Sequence, residues 1–400
     1  MMSLNEKTNS SRESLKQYKK ITEIEIKENI IKKENKIKQE NKIKFSSNIE
    51  ENSKLKKELE NVQEMKKFLE LNGIKEEFEL EEYLASGGES NVFSININYK
   101  DKRRKIFKKK AILKSIHSQR YIKEIKNEVL ISSKLKNINV IDFYGYLRGK
   151  KDAFFIIMEK AKYGNLRNLQ RNILKRRTFS ESLILFFASQ ILNGIHYCHK
   201  NKIAHMDIKP QNIVIDEFLN IKLIDFSISI DYKNKGPNDE IEMPFIGTNF
   251  YMSKEILKGS RIKYKDLSKV DLYALGIVLF NLAFGNYPYE LTYGDEDNYD
   301  VILEKIEKNE LKFPNNDILF YSKHFLDFLK KLLEKDIDKR MSLNEALNHY
   351  WIKGAKLLYD EKEKCYNLSS FFSYLITDNI KSFNDYINKK FYEVQTFSEF

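Results

Sequence analysis

The sequence predicts an α+β fold in two parts: a small antiparallel β-sheet with one helix, then a mainly α-helical region. Three observations carry this. From Glu77 onward, strand-patterned runs ("FELEEYLASGG" and "NVFSININY") flank a glycine turn, and "KIFKKKAILKSI" follows a basic hairpin tip, "KDKRR". A helical run around "YIKEIKNEVLISSKL" and two further strand runs, "VIDFYGYL" and "AFFIIMEK", complete that part, and beyond "KYGNL" the pattern is helical as far as Trp351. The chain has 400 residues, 42% of them hydrophobic and 13% aromatic, enough for one large or two ordinary domains with a sizeable core.

Taken in order, residues 1–52 are a low-complexity Lys/Asn/Glu/Ile-rich extension without Gly or Pro, and they read as disordered. Residues 53–75 read as an amphipathic helix: Leu55, Leu59, Val62, Met65 and Leu69 share a face, and Gly73 supplies the stop. Residues 76–161 form the sheet-bearing lobe and 162–352 the helical lobe. Residues 353–400 are an aromatic-rich tail, expected to be helical and packed on the rest, because so many aromatics would not stay in water.

The net charge is +12, which suits an anionic partner without choosing among nucleotide, phosphoprotein, nucleic acid and acidic membrane; lysine-rich composition alone explains it equally well. The only cysteines, Cys198 and Cys365, have no metal-like spacing, and the chain carries no disulfide framework. The start, "MMSLNEKTNS", lacks an apolar signal region and a myristoylation glycine. The longest apolar run, Val270 to Phe284, is too short for a membrane span, carries Asp271 and reads as a buried helix. An intracellular protein, cytoplasmic or nuclear, without a membrane span is expected.

Several short stretches carry chemistry. "LASGGESNVF", Leu84 to Phe93, places glycines between strands, where backbone N–H groups can approach phosphate; alone it is equally an ordinary hairpin turn. Lys114 ends a strand and Glu128 sits in the next helix within its reach; alone the pair is unremarkable. In "IAHMDIKPQNIVI", Ile203 to Ile215, Asp207, Lys209 and Asn212 lie between strand-like runs, and Asp225 follows in "LIDFSIS". A free carboxylate beside two metal-ligating oxygens is what phosphoryl transfer requires, since there the protein mostly positions reactants and neutralises charge.

In this order the motifs resemble the eukaryotic protein kinase superfamily, of serine/threonine type with a non-RD catalytic loop. "LASGGESNVF" resembles the Gly-rich loop, "AILK" the strand-three lysine, "IIMEKA" the hinge, "HMDIKPQN" the catalytic loop and "DFS" the metal-binding motif. "GTNFYMSKE", "DLYALG", "DIDKR" and "HYWI" resemble the later signatures, so that the likeness covers Phe78 to Trp351. The resemblance implies a bilobal kinase fold and ATP with Mg²⁺ (Mn²⁺ as the alternative). It implies that Lys114 holds the α- and β-phosphates and pairs with Glu128, that Asp207 takes the substrate hydroxyl proton and Lys209 steadies the γ-phosphate, and that Asn212 and Asp225 ligate the metal. Leu84, Ala85, Ser86, Gly87, Gly88, Val92, Ile112, Met158 (the gatekeeper), Glu159, Ala161, Val214 and Ile224 would enclose the nucleotide. Glu255 and Arg340 would form a structural ion pair, and Asp271 would hold the catalytic-loop backbone. Lys209–Pro210 and Thr248 are of the serine/threonine kind, and a monomer acting on Ser/Thr hydroxyls of protein substrates is expected.

The departures from the family pattern are informative. Ala85 and Ser90 replace the outer glycines, and Glu89 puts a carboxylate at the loop tip, where it repels phosphate. Ile112 and Met158 would narrow the adenine pocket. Ser132 is polar where an apolar spine residue is usual, unless Phe143 fills in. Ser227 replaces the flipping glycine, which favours an aspartate-in state. Met206 replaces the arginine that receives an activation-loop phosphate, and the loop itself has no Ser or Thr between Ile230 and Gly247, only Tyr232 and the acidic Asp239, Glu240 and Glu242. Activity independent of activation-loop phosphorylation is therefore expected. Asn165 and Gln211, where carboxylates would select basic substrates, argue against arginine-directed peptides.

The run "KDKRRKIFKKK" reads first as a solvated hairpin tip, with acidic lipid or nucleic acid as alternative partners. The terminal "FSEF", Phe397 to Phe400, resembles the hydrophobic motif of the AGC kinase group, although that group's proline-bearing tail elements are absent. Two other functions remain open at this point: a pseudokinase scaffold, against which the complete set of Lys114, Glu128, Asp207, Lys209, Asn212 and Asp225 weighs, and a small-molecule kinase, disfavoured by the peptide-platform likeness of Gly247–Glu255.

Overall fold

The computed structural model describes Met65 and residues 78–86, 90–100, 106–116, 122–148, 154–173, 179–245, 247–295, 298–314, 321–354, 359–360 and 365–366. The chain divides into two units, residues 1–65 and 66–400, and all the described residues but Met65 belong to the second. The expected extension, the helix over 53–75, the tip "KDKRR" beyond Lys100, Gly87, Gly88 and Glu89, and nearly all of the tail with its "FSEF" end lie outside the described residues, apart from that single Met65.

The first lobe is one five-stranded antiparallel sheet. Its strands β1 (Phe78–Ser86), β2 (Ser90–Lys100) and β3 (Ile106–Ile116) are followed by helix α1 (Ile122–Ser132), then β4 (Phe143–Arg148) and β5 (Phe154–Glu159), in the order β1-β2-β3-β5-β4. Period-2 alternation explains the two faces. Phe93, Ile95, Ala111 and Leu113 are buried on one, while Ile112 and Lys114 point the other way. Lys114 stands opposite Val92 on β2 and Ile156 on β5, and Ile112 opposite Met158. Helix α1 covers part of this second face by packing Ile125 on Phe154 and Ile156, with Phe143 and Met158 against the same cluster. Ser132 is itself buried at the end of the helix.

The second lobe is organised by two long helices. Following α2 (Leu166–Ile173), α3 (Glu181–Lys200) and, later, α5 (Leu267–Phe284) pass through the core, and α5 is apolar on every side, as a fully enclosed helix must be. By length and composition the segment Tyr264–Phe284 could cross a membrane, but 89% of its most apolar window is buried inside the protein. It ends at Gly285, whose φ of 72° is the left-handed cap. Gly276 lets α7 (Lys323–Leu332) and the residue after it approach closely, since a Cβ there would lie 2.9 Å from Leu333.

Between α3 and α5 the chain is not simply helical. Short ladders pair β6 (Ile203–Ala204) with β9 (Ile230–Asp231), β7 (Ile213–Ile215) with β8 (Ile221–Leu223), and β10 (Glu240–Glu242) with β11 (Arg261–Lys263); the small helix α4 (Lys254–Leu257) precedes β11. Strands of two or three residues hold too few positions to show alternation, so beyond the strand-like runs either side of Asp207–Asn212, which are β6 and β7, the helical reading of this lobe passed over them. Helices α6 (Tyr299–Lys308), α8 (Leu343–Asn348, opened by a Ser342/Glu345 capping box) and α9 (Tyr350–Lys353) complete the lobe. A five-stranded lobe with one helix joined to a helical lobe is the bilobal α+β arrangement expected from the sequence.

Candidate active site

The site lies where the free face of the sheet meets the loops that leave the β6, β7 and β8 ladders. From the sheet, Lys114 Nζ lies 2.8 Å from Glu128 Oε2 on α1 and 3.4 Å from Asp225 Oδ1 in the opposite lobe. Burial works against the lysine charge, but the two carboxylates outweigh it and hold the ammonium above its usual range. Burial also pushes the Glu128 carboxyl up, opposed by Lys114. Asp225 follows the other sign: against its burial, Lys114 and Ser227 draw its carboxyl down to about 2, so it is ionised at any physiological pH. Its φ of 68° is left-handed, a conformation that costs a non-glycine residue and that the neighbouring contacts must maintain.

The turn Ile208–Asn212 between β6 and β7 delivers the second group. Every oxygen of Asp207's carboxylate is engaged: Oδ2 accepts from Asn212 Nδ2 at 2.8 Å and Lys209 Nζ at 2.7 Å, and Oδ1 accepts from Thr248 Oγ1 at 3.0 Å. Lys209 also donates to Thr248 Oγ1 at 2.6 Å. Because Asn212 spends its amide N–H₂ on Asp207, with a second bond to the Asp207 carbonyl, its own carbonyl oxygen is left as a ligand. Asn212 and Asp225 thus offer two hard oxygens to a cation. Among the described residues no three His, Cys, Asp or Glu side chains converge as a metal cage. Mg²⁺ does not need one, since it is held by one or two protein oxygens together with water and substrate phosphate, and the donor set fits it.

The structure places the remaining expected nucleotide residues on both sides of this centre. Val92, Ile112 and Met158 occupy the sheet face beside Lys114; Glu159 and Ala161 lie at the end of β5 and just beyond; Val214 is on β7, and Ile224 directly precedes Asp225. Leu84, Ala85 and Ser86 close β1, while Gly87 and Gly88 are outside the described residues. Glu255 and Arg340 form a buried two-pronged ion pair, with N–O distances of 2.5 and 3.2 Å.

The segment that bears Asp207 hangs on Asp271 of α5. Its carboxylate accepts the backbone N–H of His205 at 2.9 Å and of Met206 at 2.8 Å, and His199 Nε2 at 2.7 Å. Burial works against this charge, but His199 and His205 hold the carboxyl below the usual carboxylate range. The other ring nitrogen of His199, Nδ1, lies 3.0 Å from the Tyr232 hydroxyl, which also donates to the His199 carbonyl at 3.3 Å. Tyr232 is 8% exposed and its hydroxyl is pushed up by burial. Met206, with φ 70°, packs into a buried group with Tyr232, Met243, Met252, Ile256 and Tyr264.

Three participants escaped the sequence reading. Lys222 looks like a solvated strand lysine but is buried between Glu159, at 3.0 Å, and Asp216, at 3.8 Å, so it ties β8 to the end of β5. His199 is a buried polar group at the end of an apolar helix, a visible but unspecific signal. Asn127 precedes Glu128 and carries no motif at all.

Compared with known proteins, residues 78–352 match the protein kinase domain family. The chain is 28% identical over 289 residues to NUAK family SNF1-like kinase 1 of Homo sapiens, covering 72% of this chain and 40% of that protein. It is 29% identical over 245 residues to the Aurora kinase of Schizosaccharomyces pombe, covering 60% and 63%. It is also 29% identical over 255 residues to the MAP kinase kinase MKK1/SSP32 of Saccharomyces cerevisiae, covering 62% and 48%. The matched stretch thus spans less than two thirds of each of these relatives.

Proposed function

Because this chain belongs to the protein kinase domain family, we propose that it is a serine/threonine-protein kinase, transferring the γ-phosphoryl group of ATP to Ser or Thr hydroxyls of protein substrates. The observation that carries the reading is the convergence of Asp207, Lys209, Asn212 and Thr248 on one side with Lys114 and the ionised Asp225 on the other. Lys114 meets the α- and β-phosphates while Glu128 fixes its position. Asp207 orients the acceptor hydroxyl and takes its proton as the oxygen–phosphorus bond forms and the bond to ADP breaks. Lys209 offsets charge on the group in transit. Asn212 and Asp225 hold Mg²⁺, which when bound neutralises phosphate charge. Val92, Ile112, Met158, Val214 and Ile224 supply apolar surface for the adenine, and Glu159 and Ala161 backbone hydrogen-bonding groups.

This activity does not depend on activation-loop phosphorylation. The position that would receive a loop phosphate is Met206, buried in an apolar group, and Tyr232, the hydroxyl residue of the loop 230–247, is buried with its hydroxyl on His199.

A peptide library with Mg²⁺–ATP tests both statements, comparing wild type with Asp207→Asn. The expected result is phosphorylation of Ser/Thr peptides, a loss of ~100-fold or more in kcat for the variant, and full activity of the wild type after phosphatase treatment. Equal rates for the two proteins would reduce the chain to a nucleotide-binding scaffold. An activity lost on dephosphorylation of a residue between Ile230 and Gly247 would end the second statement.

A further inference from the structure

Asn127 and Glu128 are neighbours on α1, and both reach across toward the metal-binding segment by different means. Glu128 does so through charge, by way of Lys114 and Asp225. Asn127 does so through the backbone: its Nδ2 lies 2.8 Å from the Ser229 carbonyl, 3.0 Å from that of Ser227 and 3.3 Å from that of Phe226. Three carbonyl oxygens around one amide nitrogen require a donor there, because a carboxylate or an apolar group of the same shape would leave them facing repulsion or nothing. The turn so gripped begins directly after Asp225, the residue held at a left-handed φ of 68°. It continues into the catalytic loop, for the Ser229 hydroxyl donates to the His205 carbonyl at 2.9 Å and the His205 ring meets the Ile224 carbonyl at 3.1 Å. A single path of hydrogen bonds therefore runs from α1 through residues 226–229 to the loop that bears Asp207.

We infer that Asn127 is a positioning residue that fastens α1 to the turn after Asp225, so that the Lys114–Glu128 pair and the Asp225 carboxylate are set together by the chain's own side chains. In its kinetic consequence this rests on the kinase reading above; in its structural consequence it does not. It supplies what the missing basic receiver at Met206 does not: a tie that keeps the first-lobe helix and the second-lobe metal ligand in register with no phosphate on the loop.

Two variants keep the shape and remove the donor, Asn127→Leu and Asn127→Asp. Hydrogen–deuterium exchange of the full-length protein without nucleotide should show faster exchange at 226–230 and along α1 in both, with α5 as protected as in wild type. In the Mg²⁺–ATP assay kcat should fall about 10- to 100-fold, as for a catalytic group displaced by about an ångström, with the KM for peptide unchanged and the Mg²⁺ concentration for half-maximal rate raised. A Leu variant that exchanges and turns over like wild type would overturn the inference. Exchange raised equally in α5 would do so as well, since Asn127 would then serve general stability. A wild type with no transferase activity would defeat the kinase reading while the exchange comparison still decided the role of Asn127.

Discussion

Toward the cleft, the segment His205–Asn212 presents Asp207, Lys209 and Asn212, each fixed by charge or a directed hydrogen bond. Toward the activation segment, the same backbone presents Met206, fixed by packing among Met243, Met252, Ile256 and Tyr264, with the hydroxyl of Tyr232 as the polar point of contact beside it. The two sides are one residue apart and share one anchor, Asp271, which takes the N–H of His205 and of Met206. Their difference separates two demands on such a loop. Chemistry on phosphate fixes residue types, whereas holding the loop still fixes only that something fill the space and satisfy the buried polar groups.

The largest effect should come from the cleft side. Lys114→Met keeps an apolar stem but removes the ammonium shared by Glu128 and Asp225. Activity of the folded fraction should fall ~100- to 1,000-fold, the usual consequence of removing one preorganised electrostatic contact, with the loss of stability from leaving buried Glu128 unpaired read separately from urea unfolding. Retained transfer in the peptide assay would show that the cleft groups do not act as one constellation.

Met206→Ala probes the other side and should show the opposite division. The residue is buried and its neighbours are large, so truncation leaves a cavity costing about 2–5 kcal/mol, read from denaturant unfolding. The kcat of the folded fraction should change far less than in Lys114→Met. A Met206→Ala protein of normal stability but lost activity would mean that the two sides cannot be treated apart.

This contrast also explains what the sequence disclosed. Asp207, Lys209, Asn212, Asp225, Lys114 and Glu128 stand out because phosphate chemistry admits few residue types and their spacing repeats the family's. Tyr232 was visible as a loop tyrosine, but its burial and its bond to His199 depend on where α3 ends, which no local pattern encodes. Lys222 was hidden because a lysine among apolar strand residues reads as solvated until its partners Glu159 and Asp216, from other parts of the chain, are placed beside it. Asn127 was hidden for a more general reason: recognition of backbone carbonyls needs only one donor in the right place, and carbonyls carry no sequence. Of the short ladders that position the site, the runs of β6 and β7 flanking Asp207–Asn212 showed as strand-like, while β8–β11 were lost to their shortness.

The smallest effect, and the most discriminating, belongs to Tyr232→Phe. The ring stays, stacked on Tyr264 with centroids 6.1 Å apart, and so does the packing around Met206. Only the hydroxyl goes, which leaves His199 Nδ1 and the His199 carbonyl without that partner in a buried site, at a cost of about 1–3 kcal/mol in unfolding free energy. His199 still holds Asp271 through Nε2 at 2.7 Å, and Asp271 still holds both catalytic-loop N–H groups, so kcat should stay within the range of wild type. The same substitution removes the hydroxyl of residues 230–247 that a tyrosine kinase would modify. If phosphorylation there were required, Tyr232→Phe would be as inactive as Lys114→Met despite its smaller loss of stability. An active but slightly less stable variant is the outcome that keeps the buried hydroxyl on the structural side of the comparison.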